Sequence, residues 1–329
     1  MTQKVEISHR TVVFTVLFLL ALWLLFQVGQ IVLAFFISLT LVAALNPLVN
    51  QLERLRLPRF LAILIIYFLT FGTFSVAVGL MISPVAEETA TLINTLPSYL
   101  DKLGFLGLAD PAVLKQLTQF SSLPANLIKF AVSLFSNIVG IFTILVISYY
   151  LLMERKNLDS RLVTLFGETD SGRAKAFIEE VEFKLGGWVR GEALLMTIVG
   201  ALYYVGLRLL GVEFALPLAI IGGILEVVPN IGPTISAVPA ILVGLMISPL
   251  HAAAVAGLYF LVQQFENTLI VPTVMKKATG AHPLMTILAL MIGWKLAGVL
   301  GAVLAVPVAL VVLIIMSQFL AEKGIVNLK

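Results

Sequence analysis

Long apolar runs make up most of the chain, and short polar segments separate them. A helix that crosses a membrane needs about 20 consecutive apolar residues. Two regions are apolar but interrupted by glycine and proline, namely Phe214–Ile247 and Pro283–Leu320. The uninterrupted candidates are Val12–Gln27, Ile31–Val49, Phe60–Ile82, Phe130–Met153, Ala193–Leu210 and His251–Val271. This pattern predicts an all-α polytopic membrane protein that forms a single transmembrane domain over residues 1–329.

The interrupted region at residues 214–247 has an unusual length for a membrane segment. At about 1.5 Å per residue it is too long for one straight span, and each arm beside the break is too short for a full one. The break has the sequence PNIGP, residues 229–233. Irregular backbone at membrane depth is tolerated where protein or a cavity shields it. A re-entrant helical hairpin therefore fits this region, with a single broken span as the alternative.

Basic residues indicate on which side of the membrane each loop lies. Lysine and arginine are enriched in cytoplasmic loops, and here they cluster at Arg54–Arg59 and in the loop 154–190. Both loops fall on the same side as the N-terminus, which we expect to be cytoplasmic. A re-entrant hairpin places Lys276, Lys277 and the C-terminus on that side too. The segment 83–126 is then external, and its apolar stripes predict amphipathic helices on the membrane surface, or a docking or lid element.

The loop 154–190 is close to charge-neutral and has one apolar edge, which predicts a helix lying on the cytoplasmic surface. Its last residues include Trp188 and Arg190. Both side chains suit an anchor in the lipid headgroups.

Composition agrees with a membrane protein and argues against several other functions. Hydrophobic residues make up 60% of the chain and charged residues 12%, against roughly 45–50% and about 25% in soluble domains. The small basic excess is therefore no sign of a nucleic-acid partner. Cysteine is absent and the three histidines are scattered, so we predict no metal centre. Sequence motifs of hydrolases, metalloproteases and nucleotide-binding proteins are missing, which predicts a protein without enzyme activity and without an organic cofactor.

Polar groups inside apolar segments are costly and are therefore candidate functional residues. Glu226 and Asn230 lie where the first arm of the hairpin ends, and a helix end presents carbonyls with partial negative charge. Gly232 and Pro233 open the second arm, whose first turn presents N–H groups. Together with the break at Pro229, this arrangement predicts a site that holds Na⁺ or a proton. The alternative is a structural kink with a salt-bridged glutamate.

A second polar face lies in the last uninterrupted apolar run. Gln263, Glu266 and Asn267 share one side of a helix, and polar groups on a membrane helix must face protein or water. This face predicts a path for a solute or a coupling ion, and interhelical hydrogen bonding is the alternative. Pro272 should then end the helix. Lys295 could supply a counter-charge to the buried glutamates or place its amine at a membrane interface.

The second interrupted region repeats some features of the first. Both begin with Pro-Leu and reach Ala-Val-Pro, at Ala237–Pro239 and Ala305–Pro307. Gly298, Gly301 and Pro307 are predicted breaks or positions of close helix packing. Paired interrupted segments are typical of a transporter's binding site, although short apolar strings also match by chance.

The order of these motifs resembles one known family. The motifs are E-x-x-P-x-I-G-P at Glu226–Pro233, Q-Q-x-E-N…P at Gln263–Pro272, His282-Pro283, and G-x-x-G…A-V-P at Gly298–Pro307. The pairs and short runs Asn46-Pro47, Leu57–Arg59 and Trp188–Gly191 agree with them, whereas Glu192 stands where the family often has glutamine. Nearly the whole chain is similar to the autoinducer-2 exporter-like (AI-2E) family of bacterial inner-membrane proteins.

The resemblance implies about eight membrane helices, homo-oligomeric and specifically pentameric assembly, and a place in the bacterial cytoplasmic membrane. Family members are linked to export of the quorum-sensing molecule autoinducer-2, or behave as Na⁺/H⁺ antiporters. We therefore expect a secondary transporter that exports a small polar solute and is coupled to H⁺ or Na⁺. The alternatives are a Na⁺/H⁺ antiporter and a non-transporting membrane scaffold.

Overall fold

The computed structural model describes residues 9–76, 79, 87, 91, 138–229, 231–275 and 283–322. Within these residues the secondary structure is helical and no strand occurs, which confirms the all-α prediction. The predicted external segment 83–126 lies outside them, apart from two single positions. The helices are α1 (His9–Gln27), α2 (Gly29–Arg54), α3 (Arg59–Val76), α4 (Ile138–Glu154), α5 (Leu158–Leu209), α6 (Ala215–Leu225), α7 (Ile231–Ile247), α8 (Pro249–Phe265), α9 (Val271–Met275) and α10 (Pro283–Glu322). A 3-10 turn (Arg155–Asn157) joins α4 to α5, and a π-helical turn (Glu266–Ile270) joins α8 to α9.

Several helices are long and apolar enough to cross a membrane. In the described part of the chain these are Gly29–Arg54, Arg59–Val76, Asp170–Leu209 and Leu284–Leu320. The helices α6 and α7 are apolar but shorter. Large apolar side chains are exposed along α1, α3 and α10, as expected of surfaces that contact lipid. The protein is therefore a multi-pass membrane protein, and the count of about eight spans stays a prediction.

Arg59, the first residue of α3, joins three helices. Its Nε donates to the Leu152 carbonyl of α4 at 2.8 Å, and its Nη1 donates to Glu53 of α2 at 2.7 Å. The side-chain oxygens of Asn50 and Asn46 accept from Nη1 and Nη2 at 3.0 Å each. Only 10% of the arginine side chain is exposed. One nearly buried guanidinium thus holds α2, α3 and α4 together.

Arg59→Met should destabilise the protein by about 1–3 kcal/mol, because the side-chain oxygens of Asn46 and Asn50 lose their donor, whereas Glu53 keeps its ion pair with Lys156 at 3.2 Å. The Leu152 carbonyl also loses its donor. Thermal unfolding in detergent should show a clear fall in Tm. Arg161→Met is the control, because Arg161 is 65% exposed and its ion pair with Glu154 contributes less than about 1 kcal/mol. Equal shifts in Tm for the two variants would contradict this role of Arg59.

The start of α5 folds back on itself at Gly167. This residue has φ 77° and ψ 172°, a conformation that glycine adopts readily. Lys175 Nζ consequently lies 2.6 Å from Asp159 Oδ2, although these residues are 16 positions apart. Arg155 donates to both oxygens of Glu182 at 2.6 and 2.9 Å. This loop is a folded pair of helical segments, where the sequence predicted one surface helix.

Farther along, α5 crosses α2 at a very short distance. A Cβ atom on Gly186 would overlap the Ala43 carbonyl of α2. That carbonyl lacks its usual helical partner, because Pro47 has no N–H to donate. Arg190 Nη1 donates instead, to Ala44 at 3.3 Å and to Ala43 at 3.5 Å. Gly186 thus allows the close approach, Pro47 leaves a carbonyl without its helical donor, and Arg190 supplies a donor in its place.

Trp188 lies inside the protein and not among lipid headgroups. Its side chain is 6% exposed and belongs to one apolar cluster with Leu185 of α5 and Leu310 of α10. The prediction of a headgroup anchor is therefore wrong for Trp188, because helix packing covers its ring.

The interrupted region 214–247 forms two helices, α6 and α7, that pack against each other. Their turn is so tight that a Cβ atom on Gly232 would overlap the Leu225 carbonyl. α8 follows after Ser248, whose Oγ accepts from the His251 N–H at 3.2 Å and caps the helix. We call α6 and α7 the first hairpin. Its re-entry into a membrane stays a prediction.

A second hairpin is contained in α10, with its turn at Ala297–Gly298. Gly298 has φ 58° and ψ −137°, which favours glycine. The helix folds back there, because a Cβ on Gly293 would lie 3.1 Å from the Cβ of Ala305, whereas a straight helix would separate these residues by about 18 Å. The predicted breaks at Gly301 and Pro307 are therefore not breaks. The helix runs through both, and Gly301 instead lets the two arms approach at Gly293.

The two hairpins meet at the turn of the first. Val228, in that turn, shares one apolar cluster with Leu290 from one arm of the second hairpin and with Ala302 and Ala305 from the other. The turn that follows Glu226 therefore packs against residues from both arms of α10.

Candidate functional site

Three glutamates from three different elements are buried near one another. Glu192 lies on α5, Glu226 follows α6, and Glu266 opens the π-helical turn after α8. Their residues are 3%, 1% and 1% exposed. Glu226 interacts electrostatically with both of the other carboxyl groups, which places all three within reach of one another's charge.

α5 presents Glu192 on the face that it buries. Val199 and Tyr203 follow at helical spacing on the same face and are fully buried. Gly191 allows the end of α9 to approach, since a Cβ there would lie 3.0 Å from Met275 Sδ. The ionisable side chain of Glu192 therefore lies on the buried face of α5, which is otherwise largely apolar.

α8 and the π-helical turn position Glu266. Tyr259 and Val262 precede Glu266 on the buried face of α8. Pro272 follows the π turn, but the helix continues through α9 to Met275, so the proline does not end it as predicted. A missing N–H at Pro272 is tolerated where the backbone pattern is already widened. Single π turns inside α-helices occur frequently at functional sites.

The turn of the first hairpin positions Glu226. Within this turn the Leu225 carbonyl accepts from the Val228 N–H at 3.1 Å, and the Val228 carbonyl accepts from the Gly232 N–H at 2.9 Å. Two of the helix-end carbonyls that were predicted to be available to a cation therefore accept hydrogen bonds within the turn. The side-chain carboxyl of Glu226 remains as the free acceptor of this segment.

The carboxyl oxygens of two of these glutamates lack hydrogen-bond partners. Neither oxygen of Glu192 or Glu226 has a hydrogen-bond partner among the described residues. No described lysine, arginine or histidine forms an ion pair with these two glutamates or with Glu266. A buried charge without a partner is costly, and the described residues supply no positive charge to these acids.

Two tyrosines lie beside the glutamates. The rings of Tyr203 and Tyr259 stack with centroids 4.1 Å apart and an interplanar angle of 16°. The Tyr203 hydroxyl is buried without a hydrogen-bond partner in the described part of the chain, and the Tyr259 hydroxyl is buried near Ser236. Tyr203 lies within electrostatic reach of Glu226 and Glu266. We call these two tyrosines and the three glutamates the carboxyl site, which offers both hydroxyl donors and carboxyl groups.

The structure brings some predicted site residues together and leaves others apart. Of the predicted residues, Glu226 and Glu266 belong to the carboxyl site and Gln263 lies beside Glu266. Gly232 and Pro233 lie in the turn and first residues of α7, which position Glu226. Gln263 is close enough to donate to Glu266, with 3.5 Å between Nε2 and Oε2. Asn267 is exposed and does not join them. Asn230 lies outside the described residues.

Lys295 does not join the site either. Its side chain is exposed on α10, and it forms no ion pair with a described acidic residue. The salt bridge between Glu226 and Lys295, which was the structural alternative, is therefore not formed.

The sequence reasoning missed part of the carboxyl site, namely Glu192, Tyr203 and Tyr259. A signal for each was present. Tyr203 lies about three helical turns after Glu192, and Tyr259 lies about two turns before Glu266, so each pair shares a helix face. Polar and ionisable groups repeated on one face of an apolar helix point to a common polar site.

The spacing of the acidic side chains determines whether they could bind a metal ion together. Among the described residues, no three acidic or histidine groups come close enough together to hold a metal ion. The carboxyl groups are within electrostatic reach but do not form a chelating set. Carboxyl groups that approach one another can exchange protons, and the tyrosine and glutamine side chains can form hydrogen bonds.

Known proteins match this chain over most of its length. The profile of a family described as AI-2E family transporter matches residues 12–321. YrrI of Bacillus subtilis is 28% identical to the chain, over 87% of the chain and 86% of its own length. The AI-2 transport protein TqsA of Escherichia coli is 24% identical, over 90% of the chain and 88% of its own length. The family match includes the elements that carry all three glutamates, and the chain belongs to the AI-2E family of membrane transporters.

Proposed function

We propose that this protein is a secondary transporter that exports a small polar solute across the bacterial cytoplasmic membrane and is coupled to H⁺ or Na⁺. Family membership and the long apolar helices support transport in general. The observation that carries the coupling is the group of three buried glutamates, of which Glu192 and Glu226 have no hydrogen-bond partner among the described residues. Ionisable groups in membrane helices are costly and typically mark the path of an ion or a solute.

Protons suit the carboxyl site better than Na⁺. The carboxyl groups of Glu226 and Glu266 face each other, and a proton between them would turn this contact into a hydrogen bond. Loss of the protons from both carboxyl groups would leave like charges side by side in an apolar region.

Protonation can be linked to movement because the two glutamates lie on different elements. Glu226 lies in the first hairpin and Glu266 lies after α8, so a change in their charge acts on the contact between these elements. A neutral pair is compatible with the packed arrangement of the two hairpins. A charged pair would favour an arrangement that admits water or solute. A proton gradient would then shift the population between the two arrangements, as any ligand with different affinities for two states does.

The solute is proposed to be small and polar because the carboxyl site combines hydroxyl, amide and carboxyl groups. Tyr203 and Tyr259 can donate hydrogen bonds, and Gln263 can donate and accept. The relative TqsA is named as an AI-2 transport protein. Autoinducer-2 is therefore the first solute to test.

The test is flux through the purified protein in proteoliposomes loaded with autoinducer-2. We expect solute efflux that a proton gradient drives, and that collapses when a protonophore removes the gradient. A second set of vesicles receives a Na⁺ gradient without a pH gradient. A third set contains no organic solute, and internal pH is followed as Na⁺ is added.

The three arms separate the alternatives. Proton movement driven by Na⁺ in vesicles without solute would establish a Na⁺/H⁺ antiporter instead. Absence of flux in every arm, with a second polar solute set included, would contradict transport and favour the scaffold.

A further inference from the structure

Glu192 is the one glutamate of the carboxyl site to which the coupling mechanism assigns no role. Its residue is 3% exposed, and both of its carboxyl oxygens are buried without a hydrogen-bond partner among the described residues. It interacts electrostatically with Glu266, and Glu226 in turn senses its charge. The side chain thus belongs to the site by burial and by electrostatics.

A purely structural glutamate would have a partner, and Glu192 has none in the described part of the chain. The nearest base along the chain is Arg190, two residues earlier. A helix turns by about 100° per residue, so Arg190 lies on a different face. Its guanidinium donates to the Ala43 and Ala44 carbonyls of α2. Arg190 therefore holds a helix crossing and leaves the carboxyl of Glu192 uncompensated.

The groups within electrostatic reach of Glu192 among the described residues are acids. They are Glu266 after α8 and Glu226 after α6. No base among the described residues compensates a third carboxylate here. A proton taken from water would neutralise it.

We propose that Glu192 is a third proton-exchanging carboxyl of the transport site. This inference rests on the proposed proton-coupled function and adds one proton to what the Glu226–Glu266 pair can exchange. In the step itself the O–H bond of the carboxyl breaks, the proton passes to water that enters the opened site, and the carboxylate keeps the electron pair. The reverse step restores the neutral acid when the site closes.

Labelling of the wild-type protein in liposomes tests this without any substitution. Dicyclohexylcarbodiimide dissolves in the bilayer and reacts with protonated carboxyl groups, which transfer their proton to a carbodiimide nitrogen as the oxygen attacks the central carbon. Mass spectrometry of the digested protein should show an adduct on Glu192 that increases as the pH is lowered. Glu213 is exposed and serves as the control that should remain unlabelled.

Infrared difference spectra between acidic and alkaline pH provide a second measurement. In Glu192→Gln the signal of buried carboxyl groups that gain a proton should fall by about a third, since one of three such groups is removed. Glu192→Asp should restore the signal and Glu213→Gln should not change it. If Glu192→Gln does not fold, the wild-type labelling still decides the question.

The outcomes separate this inference from the proposed function. Labelling of Glu226 without labelling of Glu192 at any pH would overturn the role of Glu192, even if proton-driven flux is found. Labelling of Glu192 together with absence of proton-driven flux would support it as a proton site and refute the transport mechanism. Labelling of Glu192 together with a loss of coupling in Glu192→Gln and rescue in Glu192→Asp would support both.

Discussion

Glu226→Gln should abolish proton-driven flux and leave the protein folded. The amide has nearly the same shape as the carboxyl but cannot exchange a proton at physiological pH. The substitution removes a potential buried charge, and the glutamine amide can still donate a hydrogen bond to Glu266, which faces it. We expect flux in proteoliposomes to fall at least about tenfold, equivalent to about 1.4 kcal/mol, with an unchanged or higher Tm.

Two further variants give this experiment its controls. Glu266→Gln should lose coupling as well, since Glu266 faces Glu226. Glu213→Gln changes an exposed glutamate and should transport like the wild type. Full ion-coupled flux in both Glu226→Gln and Glu266→Gln would show that these carboxyls are not the coupling groups.

Gly232→Ala should disrupt the first hairpin. The added Cβ would overlap the Leu225 carbonyl and lie 3.0 Å from the Glu226 nitrogen. Both are backbone atoms, so no side chain can rotate away and the turn itself must open. Overpacking of this kind typically costs about 1–3 kcal/mol and sometimes more, and we expect the upper end. Thermal unfolding should show a fall in Tm, and flux should fall with it because the same turn positions Glu226.

Gly257→Ala is the matched control for this prediction. Gly257 lies inside α8, and a Cβ there would meet nothing within 4 Å. Alanine stabilises a helix interior by up to about 1 kcal/mol relative to glycine, so the Tm should stay equal or rise. If Gly232→Ala behaves like Gly257→Ala, the turn is not as tight as the structure has it.

The length of the apolar runs predicted the helices well, but it did not predict where the chain folds back. Residues 229–233 combine two prolines and a glycine, and the first hairpin turns there. In α10 the glycines at 293, 298 and 301 look alike in sequence. Only the positive φ of Gly298 makes the turn, while the other two lie where the arms touch. Such a distinction depends on packing between segments, which a local pattern does not contain.

Only part of the candidate site could be predicted from the sequence. Glu226 and Glu266 stand alone inside apolar runs and were therefore visible from the cost of burying an acid. Glu192 follows Arg190 at the end of a charged loop, so it looks like the last residue of a surface segment. Its burial depends on α5 continuing as one helix past the crossing with α2, where Gly186 and Pro47 allow close contact. That contact joins residues far apart in sequence.

In the π-helical turn at Glu266–Ile270, the number of residues determines how α9 is oriented relative to α8. Most of the side chains in this turn matter less for that orientation. An α-helix turns by about 100° per residue, so deletion of one residue here would rotate α9 by that angle relative to α8. Met275 and Val274 would then leave Gly191, which they approach closely. Thr268 and Leu269 are exposed and can be replaced without this effect. Homologues should therefore vary in residue type at these positions but keep the number of residues between Glu266 and Met275.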